Sequence, residues 1–310
     1  MEAMDVRSRC EITLWGAPGS GKTTFLNALS IAAAQGEQSS QLIGLNDASA
    51  KAVTDGAHRI AVERLFPAAT AAATEVDVAL VATETERRRS WDGRRLNVDR
   101  EVRIPLRIFD RPGGDFGRGA AARGVRGALL DQLAASDGIV YFFDAIREAA
   151  IGDAFEHLHG VLAQLSVRTG GARMQGRLPQ RMAFCISKLD DERLVRAAVE
   201  QGLLTRAPHD PHGFPMVRVP ELLYQSLSAA SDCGGLVLPA LGEYFAPVQI
   251  QIFATSSIGF YLDDGSQDWK AGELSNHWVD PDSGTAVIRG RVVPVNVLEP
   301  IMWLAGLENE

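Results

Sequence analysis

Four short stretches have residue types and spacing that could do chemistry. Gly16-Ala17-Pro18-Gly19-Ser20-Gly21-Lys22-Thr23 is a complete GxxxxGK[ST] run, with a further hydroxyl at Thr24. Glycines so placed let the backbone curl until successive N–H groups point at an anion. The lysine can then reach the outer phosphates of a nucleotide, and the Thr23 hydroxyl can ligate Mg²⁺. The second stretch is Asp110-Arg111-Pro112-Gly113. A carboxylate held there can orient a water on Mg²⁺, and the glycine can offer its N–H to a terminal phosphate; alternatively, the four residues are a plain turn. In the third, Ser187-Lys188-Leu189-Asp190, the carboxylate can accept from both N1–H and the exocyclic amine of guanine, a donor pair that adenine lacks, while the Lys188 stem covers the base. A buried carboxylate left unpaired by the wrong base gives strong discrimination. The competing reading makes Ser187 and Asp190 helix-start caps. The fourth, Ala254-Thr255-Ser256-Ser257, offers N–H groups and small hydroxyls to a base oxygen.

These stretches must be positioned by a scaffold, and the hydropathy pattern supplies one. Cys10 to Trp15 is β-prone and precedes a helix from Lys22 to about Ala34, so the first stretch lies between strand and helix. The run Leu42 to Leu45 is followed by a helix capped by Asp47 or Ser49 and reaching about Phe66, with Gly56 arguing against continuity. Val76 to Thr83 and Leu96 to Asp110 read as a hairpin turning at Trp91-Asp92-Gly93-Arg94. Apolar strands at Gly138 to Asp144, Met182 to Ser187 and Val248 to Ala254 alternate with helices at 119 to 135, Asp153 to Val167 and Asp190 to about Leu204. A last helix spans Val295 to Leu307. Uninterrupted apolar strands separated by helices predict an α/β fold: a mainly parallel sheet with one antiparallel hairpin and helices on both faces, in three layers. The expected organisation is one domain over 1–310, with peripheral insertions at about 35–66, 205–246 and 259–292.

Composition narrows the function classes. A chain of 310 residues that is 46% hydrophobic and 23% charged is not wholesale disordered. No apolar run approaches the roughly 20 residues of a transmembrane helix, and no signal core opens the chain, so a cytoplasmic location is expected. The net charge of −8 gives no general attraction to nucleic acid. Three dispersed cysteines, Cys10, Cys185 and Cys233, suggest neither disulfides nor a zinc site. The six histidines have no metal-site spacing; His157 and His159 diverge on a helix. The basic cluster Arg87 to Arg89 with Arg94 and Arg95 reads as solvated hairpin charge.

A phosphate loop, DxxG, [NTS]KxD and a small-residue loop, each ending a strand and in this order, resemble the Ras-like, translation-factor (TRAFAC) class of P-loop GTPases. More narrowly, Phe66-Pro67-Ala68-Ala69-Thr70, an extra helix before it, and Asn296-Val297-Leu298-Glu299-Pro300 with Trp303 resemble the bacterial double-GTPase group. The resemblance implies a Ras-like P-loop NTPase fold that binds GTP, GDP and Mg²⁺. It also implies work in multi-gene bacterial systems, beside an effector or activating protein or a second GTPase. It assigns Thr23, Thr70 and Asp110 to Mg²⁺ and Gly113 to the γ-phosphate, with Thr74 an alternative to Thr70. Lys22 completes the catalytic set, and Ser187, Lys188, Asp190, Ser256 and Ser257 the base site. Ser187 replaces the usual Asn or Thr, and Gly114 stands where relatives carry a water-orienting Gln or His. Slow intrinsic hydrolysis is therefore expected. Two alternatives are a nucleotide-bound scaffold without turnover and a P-loop ATPase or kinase.

Overall fold

The computed structural model describes residues 7–8, 10–36, 40–68, 74–89, 95–110, 120–170, 177–206, 215–229, 231, 233–261, 274–282 and 284–307. In chain order the elements begin with β1 (Arg7–Ser8), β2 (Ile12–Gly16), α1 (Lys22–Gln35), β3 (Ser40–Gly44), α2 (Asp47–Ala61), β4 (Thr74–Arg89), β5 (Arg95–Asp110) and α3 (Ala120–Ala135). They continue with β6 (Gly138–Phe143), α4 (Ala145–Ile151), α5 (Ala154–Arg168), β7 (Arg181–Ile186), α6 (Glu192–Glu200), β8 (Leu204–Arg206) and β9 (Pro215–Val217). The remainder are α7 (Pro220–Ser228), α8 (Val237–Tyr244), β10 (Ile250–Ala254), β11 (His277–Val279), β12 (Ala286–Ile288) and α9 (Glu299–Ala305).

The main sheet runs β10-β7-β6-β2-β5-β4-β3, with β1 added on β5. From β10 to β5 every pairing is parallel; β4 is antiparallel to β5, and β3 antiparallel to β4. The central strands are apolar throughout because both faces are covered. Trp15, Tyr141, Phe143 and Phe184 point to one face, where they join Leu133, Leu158, Leu162 and Val195. Leu14, Val140, Phe142 and Cys185 alternate onto the other face, against Phe25, Leu29, Ile301 and Trp303. Three layers follow. Cys185 is a small, fully buried core residue of β7.

Helix positions follow the apolar period. In α5, Leu158, Val161, Leu162 and Leu165 fall at i, i+3, i+4 and i+7 and are buried. Its start is capped from outside: the buried Glu148 carboxylate accepts from Ala154 N at 2.8 Å and from Ser231 Oγ at 2.7 Å. In α2 the cap is Asn46, whose side chain accepts from Ser49 N at 2.8 Å, rather than Asp47 or Ser49. That helix ends at Ala61, short of Phe66, because the following residues extend to pair with β12. It is unbroken across Gly56, where a Cβ would fall 2.2 Å from Asn27 Oδ1; the glycine admits close α1–α2 packing.

Other boundaries also differ from expectation. Asp190 is drawn into a buried hydrogen bond, so α6 begins at Glu192 with Asp191 as cap. Asp144 does not end a strand but caps α4, which the apolar pattern did not reveal. Val295 pairs with Ser256, delaying α9 to Glu299. The segment 205–246 carries β9, α7 and α8, and its Val217, Leu223, Tyr224, Val237, Leu241 and Phe245 join the core on the α5 face. The turn at residues 91–94 lies outside the described residues.

Candidate functional site

β2 delivers the Gly16–Thr23 loop from the sheet centre. A Cβ on Gly16 would lie 2.9 Å from the Phe142 carbonyl, so only glycine fits where the chain leaves between β6 and β5. Gly21, at φ +95°, is the N-cap of α1 without a side-chain cap, which leaves the first-turn N–H groups aimed into the loop. Lys22 is buried, and its Nζ donates to the carbonyls of Gly16 and Ala17, each at 3.1 Å. The loop is thus curled around an ammonium group. The Ser20 hydroxyl is buried with no hydrogen-bond partner among the described residues.

The Ser187–Asp190 stretch follows β7. Ser187 Oγ donates to the Phe143 carbonyl at 3.2 Å, tying the stretch to β6 rather than to the phosphate loop. Lys188 has a φ of +60°, a left-handed value that a non-glycine residue adopts only where its surroundings enforce it. The backbone around it is pinned, Leu189 N donating to the Thr255 carbonyl at 3.0 Å and Asp191 N to the Lys188 carbonyl at 2.9 Å. Its side chain reaches Asp144, Nζ donating to Oδ2 at 2.6 Å, while Asp144 Oδ1 accepts from Ile146 N and Arg147 N at 3.1 Å. Asp190 is 7% exposed and accepts from Ser256 Oγ at 2.5 Å. Burial pushes its carboxyl up to about 6, with the Ser256 hydrogen bond opposing the shift.

Ser256 is itself fixed. Its hydroxyl accepts from Gly259 N at 2.8 Å, and its backbone exchanges hydrogen bonds with Val295 at 3.0 and 2.8 Å. Its role in this arrangement is to brace Asp190, whereas Thr255 and Ser257 face the cavity. That cavity, about 390 Å³, is lined at one end by Gly19, Ser20, Gly21 and Thr24 and at the other by Ser187, Lys188 and Asp190. The fold therefore brings the first, third and fourth stretches to one space.

Asp110 closes β5, and the register pairing Leu14 with Ile108 puts its backbone level with Gly16. Thr74 opens β4 directly opposite Asp110 in the ladder. Thr70, Arg111, Gly113 and Gly114 lie outside the described residues. Sequence reasoning missed several cavity-lining residues: Ile146, Asp191, Arg193, Ile258, His277 and Ala286. It also missed Asp144, the cap of α4 that pairs with Lys188. Nothing in the local sequence marks His277.

No family model matches the chain, and no curated protein does. Among solved structures it is similar to a chain of the signal recognition particle receptor SRb-GTP/SRX complex from Chaetomium thermophilum, at 13% identity and TM-score 0.39, covering 82% of this chain and 93% of that one. It is also similar to Aquifex aeolicus Era bound to GDP.AlF4-, at 11% identity and TM-score 0.35, covering 86% of this chain and 61% of that one. A third is the Saccharomyces cerevisiae (S. cerevisiae) Ski7 GTPase-like domain bound to GTP, at 11% identity and TM-score 0.34, covering 84% of this chain and 47% of that one. The chain thus spans less than two thirds of the second and third structures.

Proposed function

We propose that the chain binds GTP and GDP and works as a Mg²⁺-dependent GTPase switch of the Ras-like, translation-factor class. One observation carries the reading: a single cavity joins the phosphate loop to the buried Asp190–Ser256 pair. Phosphates would lie on the N–H groups from Gly19 to Thr23, and the guanine edge on Asp190.

The residues present fit Mg²⁺, which takes few protein oxygens and keeps several waters. Thr23 and Asp110, with Thr70 or Thr74, supply such a set, and the ion would neutralise charge on the β- and γ-phosphates. Gly113 would hold the γ-phosphate through its N–H, ordering residues 66–75 and 110–119 while GTP is bound. Gly114 places no side chain behind an attacking water, so hydrolysis by the protein alone is slow and a partner accelerates it.

That glycine also favours a second reading, a GTP-bound scaffold that does not turn over. In either case the proposed setting is a single domain in the cytoplasm of a bacterium, resembling the double-GTPase group and acting with an effector, an activating protein or a second GTPase. No helix among the described residues is long and apolar enough to cross a membrane.

The test is a parallel titration with GTP, ATP and XTP of wild type and Asp190→Asn, all with Mg²⁺. Preference for GTP over ATP by about tenfold, with the variant shifting toward XTP, supports the reading. Equal affinity for GTP and ATP, unchanged by the substitution, overturns it and returns the chain to the ATPase or kinase class.

A further inference from the structure

The β11–β12 hairpin belongs to none of the four stretches, yet it contributes His277 and Ala286 to the cavity wall. Asp190, Asp191 and His277 line the same cavity. Phe66 also lines the cavity, with its ring centroid 5.5 Å from that of His277.

Both margins of the hairpin are tied to the site. On one side Asn276, fully buried, donates through Nδ2 to the Ile258 carbonyl at 2.9 Å and accepts at Oδ1 from Gly290 N at 2.8 Å. Ile258 lies two residues beyond Ser256, so the loop that braces Asp190 also holds the hairpin. On the other side Ile288 N donates to the Arg64 carbonyl at 2.8 Å, and Leu65 bridges Val287 antiparallel. Arg59 Nε donates to the Phe66 carbonyl at 2.9 Å, so Phe66 is held from both α2 and the hairpin.

We propose that this hairpin is the outer wall of the nucleotide cavity: His277 contacts the purine, Asn276 positions His277, and the Leu65–Val287 bridge latches Phe66 beside it, so that nucleotide leaves when the bridge parts. The inference rests on the guanine-nucleotide reading and adds residues that its motifs do not contain. Two aromatic rings against a base retain it strongly; stacking on one ring is worth about five- to hundredfold in affinity.

The experiment follows release of N-methylanthraniloyl-GDP from the full chain by fluorescence. His277→Ala is expected to speed release about tenfold and His277→Phe to restore it, with circular dichroism unchanged. A second arm oxidises the pair Leu65→Cys and Val287→Cys, whose antiparallel Cα separation of about 4.5–5.5 Å suits a disulfide. Oxidation is expected to slow release at least about tenfold, reversibly on reduction. Release within twofold of wild type in His277→Ala, together with no effect of oxidation, overturns the inference. Failure of wild type to bind the GDP analogue at all overturns the guanine-nucleotide reading itself, and the hairpin's role with it.

Discussion

At the proposed phosphate end of the cavity, the described lining residues come from one short stretch, Gly19 to Thr24, two of them glycines that offer only backbone. At the proposed base end they come from segments scattered between Phe66 and Ala286. The first end needs only a strand, a glycine-permitted turn and a helix start. The second depends on Asp190 being held by Ser256, Lys188 by Asp144, and Ser256 by Val295. Substitutions at the phosphate end should therefore act on the ligand directly. Those at the base end should act through partners, with stability changing alongside binding.

The largest expected effect tests the first half of that contrast. Lys22→Ala removes a charged donor from beneath the phosphates and should weaken GTP binding by about a hundredfold, or roughly 3 kcal/mol, in a calorimetric titration. The melting temperature without nucleotide should fall far less than this binding loss implies.

Asp190→Asn should weaken GTP binding by at least about tenfold yet raise thermal stability without nucleotide. The sign follows from the raised carboxyl. Between 3.8 and about 6 the folded state keeps a proton that the unfolded chain releases, so Asp190 lowers stability progressively as pH rises through that window. The full penalty applies above it. The gain in melting temperature on substitution should be present at pH 7.5 and vanish below pH 4, each judged by a thermal scan. For the wild type, GTP affinity should decline as pH falls below about 6, because a protonated carboxyl cannot accept both guanine donors. A flat affinity between pH 7.5 and 5 would break the comparison.

Asp144→Asn should have a smaller effect, a several-fold loss of GTP affinity, because Lys188 loses its anionic partner while the amide still caps α4. The smallest binding effect is expected at Gly56→Ala. Its Cβ collides with Asn27, so overpacking should destabilise the chain by about 1–3 kcal/mol in urea denaturation and leave nucleotide affinity unchanged.

The same contrast explains what could be read from sequence. The central strands β2, β6 and β7 were legible because they are apolar on both faces, and α5 because its apolar residues repeat at 3.6; α4, α7 and α8 were not. The strand–loop–helix setting of Gly16 to Thr23 was legible because its parts are contiguous. The buried bond of Asp190 was not, since Ser256 is 66 residues away. Asp144 and His277 were invisible for the same reason: their local neighbours say nothing of Lys188 or Phe66. Residues 64–66 looked like a helix end because the strand partner that extends them, β12, lies more than 200 residues further on.

The chain order of these pieces bears on how the protein is made. Strand β2 and the start of α1 emerge early in synthesis, whereas Val295, which braces Ser256, is translated 272 residues after Thr23. At about 5–20 residues per second, the base end is completed roughly 15–55 s after the phosphate loop. Cys10 Sγ meets the Leu304 carbonyl at 3.7 Å across a separation of 294 residues, so the central sheet likewise waits for α9 to cover it. On this order of synthesis the proposed base end is the last part of the cavity to be completed.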